Sequence, residues 1–80
     1  MTIEYSKQSV KTIQRLDALT KQRIKHGIEG MPKGDIKKLQ SHTALYRLRI
    51  GDWRIVFSYI NDEAILIERI APRGDVYKEV

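Results

Sequence analysis

The chain has 80 residues, no cysteine, and 15 Lys and Arg against 10 Asp and Glu, a formal net charge of +5. A chain this short buries only about 60–65% of its unfolded surface, so residues 1–80 are expected to form a single domain, without disulfide staples or thiolate metal sites. No apolar run approaches the roughly 20 residues that a bilayer span needs, and the opening MTIEYSKQSV lacks the apolar centre of a secretory leader. A cytoplasmic location without a membrane partner is therefore expected, and the positive balance suits a polyanion if the charges converge.

Residues 2–5, TIEY, are β-prone and place Ile3 and Tyr5 on one side, which predicts a first strand. Ser6 is suited to cap a helix. Val10, Ile13 and Leu16 then recur at helical spacing, which predicts a helix over 7–16. Leu19, Ile24, Ile28 and Met31 form a second stripe, predicting a helix over 18–29 that Asp17 or Thr20 starts and Gly30-Pro32 ends. Little chain separates the two, so a helical hairpin is expected.

Residues 33–43, KGDIKKLQSHT, show no periodicity and read as a loop. Strict alternation over 45–50 predicts a strand, and Gly51-Asp52 suits a two-residue hairpin turn. Residues 53–60, rich in aromatic and β-branched side chains, predict the next strand, and Asn61-Asp62-Glu63 the next turn. The nearly continuous apolar segment 64–70 predicts a central strand. The expected fold class is α+β in the order β-α-α-β-β-β. A small antiparallel sheet carries the N-terminal helical hairpin on one face, and its other face meets water or a ligand.

With Gly51-Asp52 as the turn, residue 50 opposes 53, 49 opposes 54 and 47 opposes 56. Alternation then gathers Tyr46, Leu48, Ile50, Trp53, Ile55 and Phe57 on the helix-facing side. Arg47, Arg49 and Arg54 fall on the other side, with Arg49 directly across from Arg54. Like charges opposed on a sheet are destabilising, and the hairpin offers no carboxylate on that face. An anion that completes the cluster explains the arrangement better than a solvated face, which would mix signs. In the tail, Arg73 reads as a loop charge or an addition to this cluster, and Tyr77 as a cap on the core.

The stretch LYRLRIGDWRIVF over 45–57 resembles the hallmark of RelE-type toxins: alternating basic and apolar residues, then Gly-Asp, an aromatic residue and an arginine. Lys38-Leu39 with Ser41-His42 resembles the family's lead-in. Residues 70–77, IAPRGDVY, are similar to its closing element. The resemblance covers nearly the whole chain and implies the toxin of a type II toxin–antitoxin system. It implies a metal-independent endoribonuclease that cuts messenger RNA in the A site of the small ribosomal subunit, by attack of a ribose 2′-hydroxyl on the adjacent phosphate. The family's functional positions fall on Arg47, Arg49, Arg54, Arg73 and Tyr77. The implied partners are a cognate antitoxin, the ribosome and mRNA, with no cofactor and no metal.

Guanidinium groups suit the charge of a phosphorane-like transition state. Arginine keeps its proton at ordinary pH, so the general base is left open among Tyr77, water, ribosomal RNA and an unusually perturbed Arg49. Lys33, Lys37, Lys38 and His42 are candidate RNA contacts beside the arginine face, with a solvated loop as the plain alternative. The lysines of the two expected helices, Lys7, Lys11, Lys21 and Lys25, face either ribosomal RNA or solvent. His26 reads as a surface or half-buried helix residue. Neither histidine has a partner at metal-ligand spacing, and no Gly-rich phosphate loop occurs. Two further readings keep the fold: a ParE-like toxin that inhibits DNA gyrase, and a non-catalytic RNA-binding module.

Overall fold

The computed structural model describes residues 2–31, 33–39 and 45–72, the side chain of Asp35 excepted. Its elements are β1 (Thr2–Tyr5), α1 (Lys7–Gln14), α2 (Ala18–Glu29), β2 (Asp35–Lys38), β3 (Tyr46–Ile50), β4 (Trp53–Asn61) and β5 (Ala64–Pro72). The strands form one sheet in the order β1-β5-β4-β3-β2. The α+β class and the N-terminal helical hairpin are as expected.

Both helices start on the side chains that the sequence offers as caps. Ser6 has extended backbone and its hydroxyl accepts from the Ser9 amide at 3.1 Å. Asp17 does the same for the Thr20 amide, also at 3.1 Å, and the hydrogen bonds from Thr20 hold its carboxyl below the ordinary carboxylate value. Helix α1 stops short of the expected residue 16. The amides of Arg15 and Leu16 bond three residues back, to Thr12 and Ile13, a tightened last turn that hands the chain to the extended Asp17.

The sheet differs from expectation in two ways. First, it is mixed rather than antiparallel, because β1 pairs in parallel with β5, Thr2 opposite Ala64 through Tyr5 opposite Ile67. Second, residues 33–43 are not all loop. Asp35–Lys38 pairs antiparallel with β3 as an edge strand, Ile36 opposite Leu48. A lone Ile36 among lysines gives no alternation to read, yet lysines are common on the open edge of a sheet.

Between Val56 opposite Arg69 and Phe57 opposite Ile67, β5 holds one extra residue, Glu68. This bulge is where α1 docks. The Ile67 carbonyl accepts from the Ser6 amide and from the Ser9 hydroxyl, both at 2.9 Å, and the Glu68 carbonyl accepts from the Ser6 hydroxyl at 2.7 Å. Ser9 is thereby fully buried yet bonded. Ile24 and Ile28 of α2, with Met31 just after it, pack on Leu48, Ile55, Phe57, Ile65, Ile67 and Ile70, with Tyr46, Ile50 and Trp53 at the margin. Burial of such side chains contributes about 1.5–3 kcal/mol each. Gly27 lets α2 approach β3 closely: a Cβ there would stand 2.5 Å from Ile50 Cδ1. Among the described residues, no helix is long and apolar enough to cross a membrane.

Candidate functional site

The face opposite the helices is built by register. Arg47 opposes Val56, and Val56 opposes Arg69; Arg49 opposes Arg54, and Arg54 opposes Ala71. The turn that fixes this register has Gly51 at φ 58°, the left-handed region that the first position of a primed hairpin turn requires. Arg47, Arg49 and Arg54 therefore share one face, as the two-residue turn implies.

At the turn the guanidinium groups of Arg49 and Arg54 converge on one carbonyl. Arg49 Nε donates to the Gly51 oxygen at 3.3 Å, and an Arg54 terminal nitrogen reaches the same oxygen and that of Trp53 at 3.5 Å. These bonds are long, so they orient the side chains more than they bind them. A guanidinium carries five donors, and these contacts leave most of them for an anion. Arg49 is exposed and Arg54 half-buried.

Further from the turn the face is drier. Arg47 is only 7% exposed and Val56 is fully buried. Both Arg47 and Arg69 have interaction partners. Arg69 was not among the sequence candidates. Strict alternation along β5 would place it with Ile65 and Ile67, and the bulge at Glu68 turns it to the arginine side. The available signal was the adjacent polar pair Glu68-Arg69 inside an apolar strand, where a strand changes phase.

The basic segment before β3 divides. Lys37 opposes Arg47 and so adjoins the arginine face, whereas Lys38 opposes Tyr46, whose ring belongs to the aromatic cluster with Phe57 and Tyr59 on the other face. Lys33 is exposed ahead of the strand. The same edge strand sets Asp35 in backbone register with Arg49, a neighbour that a loop would not supply. His42, Arg73 and Tyr77 lie outside the described residues. His26 is exposed on α2. No group of three His, Cys, Asp or Glu able to hold a metal occurs among the described residues.

Fold and site together define a class: a small basic α+β domain whose sheet turns one face to a helical hairpin and gathers arginines on the other. Proteins similar to this chain in sequence and in build carry the name of toxins. The RelE3 toxin of Methanocaldococcus jannaschii is 29% identical over 96% of each chain, and RelE1 of the same organism is 30% identical over 95% of this chain and 93% of its own. The RelB-RelE antitoxin–toxin complex from Methanococcus jannaschii matches with a TM-score of 0.74 at 28% identity, over 95% of this chain and 96% of the other. The archaeal RelE-RelB complex from Pyrococcus horikoshii matches with a TM-score of 0.72 at 30% identity, over 92% and 96%. No protein-family model matches the sequence. The chain belongs to the RelE family of toxins.

Proposed function

We propose that this toxin is a ribosome-dependent, metal-independent endoribonuclease that cuts messenger RNA in the A site of the small subunit. The observation that carries the reading is the in-register pair Arg49 and Arg54 at the hairpin turn, on one face with Arg47 and Arg69. The pair is held to backbone carbonyls by few and long bonds, which leave guanidinium donors for phosphate oxygens.

In the reaction a ribose 2′-oxygen forms a bond to the adjacent phosphorus and the bond from phosphorus to the 5′-oxygen breaks. This leaves a 2′,3′-cyclic phosphate and a 5′-hydroxyl. Negative charge builds on the non-bridging oxygens as the 2′-oxygen attacks, and fixed cations already in place stabilise it without reorganising. Arg49 and Arg54 bind those oxygens. Arg47 fixes the strand behind them, and Arg73 neutralises the leaving 5′-oxygen, which takes a proton from water to become the 5′-hydroxyl. The 2′-hydroxyl proton passes to water or to the Tyr77 phenolate, since the charged arginines cannot accept it. A cognate antitoxin of RelB type holds the toxin inactive in the cytoplasm, in keeping with the RelB-RelE complexes among its structural neighbours.

Sequencing message ends after brief expression, with parallel reactions on purified RNA with and without ribosomes, tests the reading. Cuts within translated codons that require ribosomes are the expected result. Intact transcripts accompanied by altered DNA supercoiling would replace it with gyrase inhibition, and intact transcripts with normal supercoiling would leave only RNA binding.

A further inference from the structure

A cleft of about 190 Å³ lies between α2 and the β3–β4 turn, on the other side of the turn from the arginine pair, lined chiefly by Thr20, Arg23, Ile50, Gly51, Asp52 and Trp53. Within a lining that is more polar than apolar, Ile50 and the half-buried Trp53, which oppose each other in the ladder, form an apolar wall. Its rim is polar. Arg23 supplies donors and Asp52 an acceptor, and an Arg23 terminal nitrogen would stand only 3.4 Å from a Cβ on Gly51. The guanidinium thus lies beside the turn. The volume is below the roughly 300 Å³ at which pockets for drug-sized molecules begin, which restricts the occupant to about one ring system. A flat apolar ring with donors and acceptors on its edge satisfies both wall and rim, and bases bind proteins by packing on aromatic side chains in this way.

Position narrows the choice further. Gly51 belongs to both places: it lines the cleft, and its carbonyl oxygen holds Arg49 at 3.3 Å and Arg54 at 3.5 Å. An RNA strand crossing the hairpin tip meets the arginines and the cleft in succession. We infer that the cleft is a nucleobase subsite, which takes the base next to the phosphate that Arg49 and Arg54 hold and packs it against Trp53. The inference rests on the reading of that arginine pair as a phosphate site.

Trp53 is the only tryptophan in the chain, so its emission reports on the cleft without a label. The whole chain is titrated with a 2′-O-methyl RNA trinucleotide, which lacks the attacking hydroxyl, and with an abasic backbone carrying the same phosphates. Saturable quenching by the trinucleotide and none by the abasic backbone is expected. Arg23→Gln is expected to weaken trinucleotide binding at least threefold with an unchanged circular dichroism spectrum. Arg54→Ala should weaken the trinucleotide too, while a free nucleoside, with no phosphate to lose, still quenches Trp53 equally in parent and variant. Equal quenching by both backbones, quenching by neither, or full affinity in Arg23→Gln would overturn the subsite. Base-dependent quenching alongside uncut messages would instead overturn the nuclease reading and leave the subsite standing.

Discussion

Two pairs of arginines share one face of this sheet and live in different surroundings. Arg49 and Arg54 oppose each other beside the hairpin turn, and the hydrogen bonds described for them run to the carbonyls of Gly51 and Trp53. Arg47 and Arg69 flank the fully buried Val56 further along the strands; Arg47 is itself buried, and both have partners. The outer pair sets like charge against like charge and uses few of its guanidinium donors on these bonds. The inner pair belongs to the packing that fixes the strands. The two pairs thus differ in burial and in bonding, and distance from the turn along the strands separates them.

The largest expected effect is on the outer pair. Arg54→Ala should lower cleavage about 10²–10³-fold, the usual loss when one donor to a developing oxyanion is removed. Folding should survive, because its cross-strand neighbours are Arg49 and Ala71. Message-end sequencing and growth arrest measure the activity, and circular dichroism the fold. The next largest falls on the inner pair. Arg47→Ala should cost about 1–3 kcal/mol of stability, because a buried side chain and its packed aliphatic stem are lost. Arg49→Ala, at an exposed position, should stay within about 0.5 kcal/mol of the parent. Urea midpoints give both values, and equal losses would erase the distinction between the pairs.

How far each pair could be read from the sequence follows from the same geometry. A two-residue turn at Gly51-Asp52 leaves no freedom of register, so the shared face of Arg47, Arg49 and Arg54 was legible. So was the whole of α2, where Asp17 and the stripe through Ile24 and Ile28 agree. Arg69 was not, because a bulge shifts the phase of β5 and alternation cannot announce where it will do so. Nor was β2, whose single half-buried Ile36 looks like loop until β3 lies beside it. The parallel partner of β1 was illegible for another reason: Thr2 and Ala64 meet only after the entire fold has closed.

Gly27 ties the outer pair to the helices. A methyl there would stand 2.5 Å from Ile50 Cδ1 and 2.9 Å from Cγ1, and overpacking of that kind costs about 1–3 kcal/mol. Replacing glycine inside a helix returns roughly 0.5–1 kcal/mol, so Gly27→Ala should be destabilising by up to about 2 kcal/mol on thermal melting. Ile50 adjoins Arg49 in the chain and lines the cleft beside Trp53. The strain should therefore reach the turn first, lowering activity at temperatures where the fold is intact. Melting without any loss of activity below the transition would show that the turn is insulated from α2.

The smallest expected change in stability is the most discriminating, because its sign opposes that of activity. Arg49→Glu sets a carboxylate across the ladder from Arg54, and it is made and compared in an Asp35→Asn background, because Asp35 is in register with position 49 on its other side. Like charges directly opposed are destabilising and opposite charges contribute about 0.2–1 kcal/mol. Position 49 is exposed, so screening by solvent keeps the gain at the low end of that range, and added salt should shrink it as the Debye length falls toward 3 Å near 1 M. The variant should thus unfold at slightly higher urea than the parent at low salt, by a margin that closes with ionic strength, while cleavage is lost. A cluster kept for an anion must behave this way, since the protein alone gains from breaking it. If the carboxylate lowers stability instead, arginine at 49 already satisfies a group within the fold, and the outer pair is packing like the inner one.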